Sequence, residues 1–522
     1  MRNRVAVYAW LCTCVTLVAF ILGAAGKPQA AQGPPSMLGV PCAQVYDLGI
    51  DKQENLRATL IMVGCGLSAA GDPDAPATTT DSFTADAFLN TNLITGAENY
   101  PHITQSESMV WSKPDGTTIV VNYNDSADAP VNYSGVSVST DGGATFNRLM
   151  PSPFATGHGT NFGDPIVVYN ALLATWFGGD LATGCGGQGI GLWSSADALN
   201  WDVGACAHSG TSDDRQSMWV DNNSASPFYG RMYISWNDFS ALGGQALFVT
   251  YSDDGNTWTA PNRLSIGFIR NIQLTGSPQD GTVFVAAMNE GGGQLNPRTN
   301  YIYRSLDGGG TWTQIRMGDP FVPPGDTGCN YFAKIQPIWR HMGWGQPAVG
   351  PGGVVHYVFS GRGSNPGDKG DIFYTQSLDN GVTWSAPIVL NSDQASGSAT
   401  EQWMPSISVT TTGTVLVGWY DRRNTTDGAN YEYWGIQSLD NGTTWQPDAP
   451  LSDGLIAQPE QVDPNMQACY AGDYNYHSAL DNVNFATWTD GRNAISGHFQ
   501  QDVYFTQSAT TPPVRPRARP VP

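Results

Sequence analysis

One short pattern constrains this chain more than anything else in it. Ser139-Thr140-Asp141-Gly142-Gly143-Ala144-Thr145-Phe146 returns as Ser305-Leu306-Asp307-Gly308-Gly309-Gly310-Thr311-Trp312, then as Ser377-Leu378-Asp379-Asn380-Gly381-Val382-Thr383-Trp384 and Ser438-Leu439-Asp440-Asn441-Gly442-Thr443-Thr444-Trp445. A copy one residue shorter is Ser252 to Trp258, and a degenerate one runs from Ser195-Ala196-Asp197 to Trp201. Asp254 and Asp307 lie 53 residues apart, Asp307 and Asp379 72 apart. Self-similarity at such a period signals a repeat architecture with one supersecondary unit per repeat.

The chemistry of the pattern is that of a tight turn. Asp and Ser side chains bond the turn backbone, Gly supplies positive φ, and the Thr-Trp end starts a new strand. A self-contained local turn favours a structural role for these aspartates over a catalytic one. Each repeat also holds two earlier strand-like runs, for example Gln346–Val349 and Val354–Phe359 before Asp371–Tyr374. Four antiparallel strands per repeat is the blade of a β-propeller. Units beginning near Ser108, Pro165, Ser217, Ile272, Pro347, Met404 and Tyr474 give an all-β propeller of seven four-stranded blades, with six as the alternative. The last unit lacks the turn, and an N-terminal strand such as Ala58–Val63 is expected to complete it, removing the free edges.

Composition agrees with exported β structure. Only 13% of the 522 residues are charged, against 61 Gly, 34 Pro and 17 Trp, which excludes a disordered chain or a coiled coil. The net charge of −21 argues against nucleic-acid partners. Arg2 and Arg4 precede an apolar run from Val5 to Ala25, a secretory leader pattern, with an uncleaved anchor as the alternative. The expected organisation is a signal peptide over 1–31, an N-terminal segment with the closing strand over 32–99, the propeller over 100–509, and a disordered Pro/Arg-rich tail over 510–522. Six cysteines remain after the leader, and the sequence-local pairing is Cys42–Cys65 and Cys185–Cys206, leaving Cys329 with Cys469. None has CxxC spacing, and zinc is not expected.

The Ser-x-Asp-x-Gly-x-Thr-Trp copies resemble the Asp-box, or bacterial neuraminidase repeat, of sialidases and other exported propellers. The phrases Gly418–Asn424 and Trp488–Asn493 are similar to secreted bacterial sialidase-like proteins. The resemblance implies a glycoside hydrolase acting on extracellular glycans, with an arginine triad on a sugar carboxylate, a Tyr nucleophile polarised by Glu, and an Asp acid/base. The Arg-Ile-Pro string that carries the first arginine in sialidases does not occur in this sequence. The alternative, from another class, is a non-catalytic propeller that binds glycan or protein at the cell surface.

Propeller geometry places ligands on the face holding the starts of first strands and the ends of second strands. Those positions gather carboxylates and arginines, which perturb one another in a narrow mouth. The candidate catalytic residues are Asp164, Asp214, Glu401, Asp473 and Tyr474. The candidate substrate-binding residues are Arg215, Arg270, Arg362, Arg422, Arg492 and Trp403. Asp421-Arg422 and Asp490-Gly491-Arg492 look alike, as interblade salt bridges would. No Gly-x-Ser-x-Gly elbow, P-loop or His-Glu-x-x-His occurs. No cofactor is expected, with structural calcium a candidate for Asp-rich loops such as 367–371. The expected partner is extracellular carbohydrate or glycoprotein, met by a monomer that is free of the membrane once the leader is cleaved.

Overall fold

The computed structural model describes residues 35–77, 90–241, 245–335, 338–425 and 430–509. The expected leader and tail lie outside them. Within the unit from Pro34 onward, seven sheets are four-stranded and antiparallel. Their first strands are Gln105–Ser112, Ile166–Asn170, Asp213–Val220, Arg270–Gly276, Gln346–Val349, Gln402–Val409 and Ser478–Leu480. Each first strand packs against that of the next sheet, and Ser478–Leu480 packs back against Gln105–Ser112. A three-stranded sheet of Asp326–Cys329, Phe332–Ile335 and Trp339–His341 lies in sequence between the fourth and fifth of these sheets.

The last sheet takes its outer strand from the other end of the chain. Thr91–Asn92 pairs with Asp502–Ala509, which pairs with Val483–Asp490 and through it Ser478–Leu480. Leu93, Val110, Val121, Phe485 and Val503 are buried in one cluster there, joining the last sheet to the first. The strand expected at Ala58–Val63 is instead part of an α-helix, Leu56–Gly64. Asn55 caps it by accepting the Ala58 N–H at 2.9 Å, and Gly66 takes φ +69° just past its end. A short apolar run fits a buried helix as well as a strand, and the cap decides between them.

The recurring turns are stapled as their chemistry requires. In one, the Ser438 hydroxyl donates to Asp440 at 2.8 Å and accepts the Gly442 N–H at 2.8 Å. The other Asp440 bonds come from the Thr444 N–H and hydroxyl, at 2.8 and 2.6 Å. Asn441 and Gly442 both have positive φ, and a Cβ on Gly442 would lie 2.1 Å from the Tyr374 hydroxyl oxygen. The same bonds recur around Asp141, Asp307 and Asp379. Trp312 and Trp384 donate their indole N–H back to the turn glycines. The three disulfides form as paired above, Cys42–Cys65, Cys185–Cys206 and Cys329–Cys469.

The Thr444 and Ser438 bonds hold the Asp440 carboxyl down at about 2, below its value in the unfolded chain. Its stabilisation is therefore fully present above roughly pH 4 and is lost as the pH falls through 2. Asp440→Ala is expected to lower the Tm by a few degrees at pH 7, with the gap to wild type closing at pH 2. Thermal unfolding of both proteins at the two pH values checks this.

Candidate functional site

Most of the first strands carry the same irregularity at the same place. The pairing with the second strand slips between Ser106 and Met109, Asp214 and Ser217, Arg270 and Gln273, and Trp403 and Ser406. Inside each bulge one non-glycine residue has positive φ: Glu107 at 53°, Arg215 at 55°, Asn271 at 56° and Met404 at 52°. Asp164, just before the second sheet's first strand, has φ 62°. A bulge re-aims a side chain, and left-handed backbone at a non-glycine costs about 1–3 kcal/mol per residue, so neighbouring contacts must hold it.

Those contacts form one buried charged cluster at the starts of the first strands. Glu54, from the turn before the helix, lies between two guanidinium groups. Arg215 donates to one carboxylate oxygen and Arg270 to the other. Arg340 donates to the Glu54 backbone carbonyl at 2.9 Å and grips both oxygens of Asp473, its Nε at 2.8 and 3.1 Å and its Nη2 at 2.5 Å. Asp164 accepts the Arg215 N–H at 2.7 Å, and Asn271 accepts from the Arg215 guanidinium at 2.8 Å. The Arg215 guanidinium also lies over the Tyr474 ring, 3.8 Å from its centre, worth about 2 kcal/mol when desolvated. One Asp214 oxygen accepts the Glu54 and Asn55 N–H groups and the Asn55 amide, at 3.0, 3.2 and 2.6 Å. On the neighbouring side, Glu107 accepts from the Tyr470 hydroxyl at 3.0 Å, from Asn124 at 2.7 Å and from the Asp473 N–H at 2.9 Å.

Charge balance makes this cluster unusual. Glu54, Glu107, Asp164, Asp214, Glu290 and Asp473 are all buried; Arg215, Arg270 and Arg340 pair with carboxylates among them, and Arg298 donates to the Glu290 backbone carbonyl. Six carboxylates outnumber these four guanidinium groups, and a surplus of ionised carboxylates away from water is costly. Burial, reinforced by the neighbouring carboxylates, pushes Glu107 and Asp164 well above the usual range. Burial also pushes Asp214 up to about 6 and raises Asp473, though Arg270 and Arg340 respectively pull against it. Burial disfavours the charged form of Arg215 and Arg270, but Glu54 and its acidic neighbours outweigh it and hold both above their ordinary values. The arrangement therefore offers carboxylate anchors beside carboxyls still able to give a proton near neutral pH.

Of the residues singled out in the sequence, Asp164, Asp214, Arg215, Arg270, Asp473 and Tyr474 converge here. The others sit elsewhere. Trp403 is fully buried, stacked on Tyr420 and packed with Trp339 and Tyr431, so no ring face is left for a ligand. Arg422 lies over Trp403 and donates to Gln458 at 2.7 Å. Arg492 is tied to Asp490 and Asp453, and Arg362 donates to the Gly325 carbonyl at 2.5 Å. Glu401 is half-buried, and its backbone carbonyl accepts the Arg422 N–H. Glu290, at the end of a second strand, joins them as that position implies, whereas Glu54, Glu107, Arg340 and Tyr470 carry no signal in the repeat. In the Asp-rich loop, Asp368 turns inward and accepts the Gly370 N–H at 3.0 Å. His158, Cys185 and Cys206 come together, but both sulfurs are spent in a disulfide.

The axis also holds a cavity of about 600 Å³ at the opposite ends of the first strands, lined by Trp219, Gln273, Gln346, Ser408, Tyr476 and His477 among others. Asp481 is its one charged lining residue, and burial holds His477 down at about 3 and so neutral. It has space but no reactive pair, so the charged mouth is the candidate site.

The native Asp214 carboxyl binds its proton more tightly than the unfolded chain does. That contribution to stability is complete below roughly pH 4 and is lost as the pH rises through about 6. Asp214→Asn is expected to flatten the fall in Tm between pH 4.5 and 7. An unchanged slope in a folded variant would place that proton elsewhere.

Residues 170–404 match the family described as BNR repeat-like domain. No curated protein matches the chain. Similar solved structures include a protein of unknown function from Dyadobacter fermentans, 13% identical over 80% of this chain and 98% of that one, TM-score 0.40. Another is the Penicillium chrysogenum α-L-arabinanase complexed with arabinobiose, 14% identical over 81% and 98%, TM-score 0.39. A third is the intramolecular trans-sialidase from Ruminococcus gnavus in complex with oseltamivir carboxylate, 13% identical over 80% and 97%, TM-score 0.38. Likeness at that level says nothing of what this chain acts on. The stapled turns around Asp307 and Asp379 lie within the stretch that is similar to the BNR repeat-like domain.

Proposed function

We propose that this is a secreted, seven-bladed, sialidase-like glycoside hydrolase that acts on extracellular glycans bearing a carboxylate, at the mouth formed by the starts of the first strands. Seven four-stranded sheets with first strands in cyclic contact support the blade number. The observation that carries the activity is the pair of guanidinium groups, Arg215 and Arg270 from adjacent sheets, converging on one carboxylate. A guanidinium fork matches a carboxylate in shape as well as charge. Arg340 completes the cationic group.

In this reading Arg215 and Arg270 anchor the sugar carboxylate. Asp214, raised to about 6, is the acid/base, because a carboxyl near the working pH both gives and takes a proton. The resemblance implies a Tyr polarised by Glu, and Tyr470 with its hydroxyl on Glu107 at 3.0 Å fits that description better than Tyr474. Tyr474 has its ring against Arg215, and its hydroxyl has no partner among the described residues. Burial and the nearby carboxylates hold the Tyr470 hydroxyl well above its ordinary value, so it would act only in molecules whose Glu107 has lost its own proton and can accept the one from Tyr470.

One observation favours a second reading, a non-catalytic glycan-binding propeller: the mouth is filled, with Glu54 on the arginines and the acids buried. A panel of sialosides, aryl glycosides and acidic oligosaccharides separates the two. Hydrolysis by the wild type, with kcat lowered by about 10²–10⁴ in Asp214→Asn and in Tyr470→Phe, is the expected result. Binding without turnover across the panel would establish the second reading instead.

A further inference from the structure

We infer that residues 35–72 are a displaceable occluder of the mouth, and that the Glu54 carboxylate stands where the carboxylate of an acidic sugar ligand belongs. The inference rests on the carboxylate-binding reading of the mouth but not on catalysis.

First, the occluding segment has a small body of its own. Val40, Val45, Ile50, Ala58, Ile61 and Met62 form a buried cluster separate from the sheet cores. Cys42–Cys65 lies wholly within the segment, so no disulfide ties it to the sheets. One backbone cut after Asp72 would leave it held to them by non-covalent contacts alone.

Second, much of that contact is polar and gathers at one residue, with a further backbone seam where Ala69, Gly71 and Asp72 bond Ala468, Met466 and Gln461. Glu54 meets Arg215 and Arg270 through its carboxylate, Arg340 through its carbonyl and Asp214 through its N–H. Lys52 adds its carbonyl to Arg270, Gln53 donates to Ser212, and Arg57 donates to Gln188. Leu56 and Leu60 supply the apolar part by reaching the main core. Contacts of this kind can be matched by a ligand that brings its own carboxylate.

Third, the segment leaves groups beneath it unsatisfied. One oxygen of Asp164, the Tyr474 hydroxyl and the side-chain oxygen of Gln216 have no hydrogen-bond partner among the described residues, although all three residues are buried. Buried polar atoms are ordinarily paired. A ligand bearing hydroxyl groups would supply partners for all three.

The test uses the full chain with a protease-recognition sequence inserted between Asp74 and Ala75, in the exposed stretch that follows the segment. The cut protein is run on size exclusion in buffer, in N-acetylneuraminate, in glucuronate, and in glucose at matched concentration and ionic strength. At least one acidic sugar is expected to release the segment at least tenfold more than glucose does, while the remaining chain keeps a cooperative thermal transition. Glu54→Gln in the same background is expected to lower the acidic-sugar concentration needed by at least tenfold, and if that variant does not fold, the release measurement decides alone. Release by glucose to the same extent, no release by either acid, or loss of the cooperative transition when the segment leaves would each overturn the inference. Turnover is not read here, so a chain that releases its segment to acidic sugars yet hydrolyses nothing contradicts the enzyme reading and upholds this one.

Discussion

The organisation of the mouth depends on how a surplus of buried acid is neutralised. An unpaired ion away from water costs several kcal/mol, and removing one partner of a buried pair typically costs about 3–5 kcal/mol. Glu54, Arg215 and Arg270 must therefore be considered together, with Arg340 and Asp473 beside them. Among the other acids, Glu107, Asp164 and Asp214 keep protons above the usual carboxyl range. Positive φ at Glu107, Asp164 and Arg215 follows from the same requirement, because bulged or left-handed backbone is what brings these side chains together.

The far ends of the sheets that carry the recurring turn are built on the opposite principle. Asp141, Asp379 and Asp440 are exposed, and each is held by hydroxyl and N–H groups within its own turn, with pKa values pushed below the usual range. Such turns are local and independent, so each can form before the ring is complete. The mouth is non-local: Glu54 meets residues about 160 and 216 positions away. One end supplies repeated stability, and the other uses long-range charge to build a single site.

This division explains what was legible in the sequence. The stapled turns could be read because every bond in them lies within a few residues. The starts of the first strands followed from the turn period, and with them Asp164, Asp214, Arg215 and Arg270. The helix Leu56–Gly64 was read as a strand because Ala58–Val63 is short and apolar, with the deciding Asn55 cap just outside it. Glu107 and Asn271 escaped because a bulge adds a residue and breaks the two-residue alternation. Glu54 and Arg340 escaped for another reason: both lie outside the repeated four-strand unit, so no period points to them. Trp403 and Arg422 show the converse, lying at the correct repeat position but turned into the core.

The claim that most of this account depends on is that Glu54 and Arg270 are energetically joined in the folded chain. A double-mutant cycle on equilibrium unfolding, with Glu54→Gln, Arg270→Gln and the pair, measures that directly. A coupling of about 1.5–3 kcal/mol, with the double variant losing less than the two single losses together, is the predicted result. Additive losses would mean that the two groups do not sense each other, and the charged mouth described here would not be what organises this end of the protein.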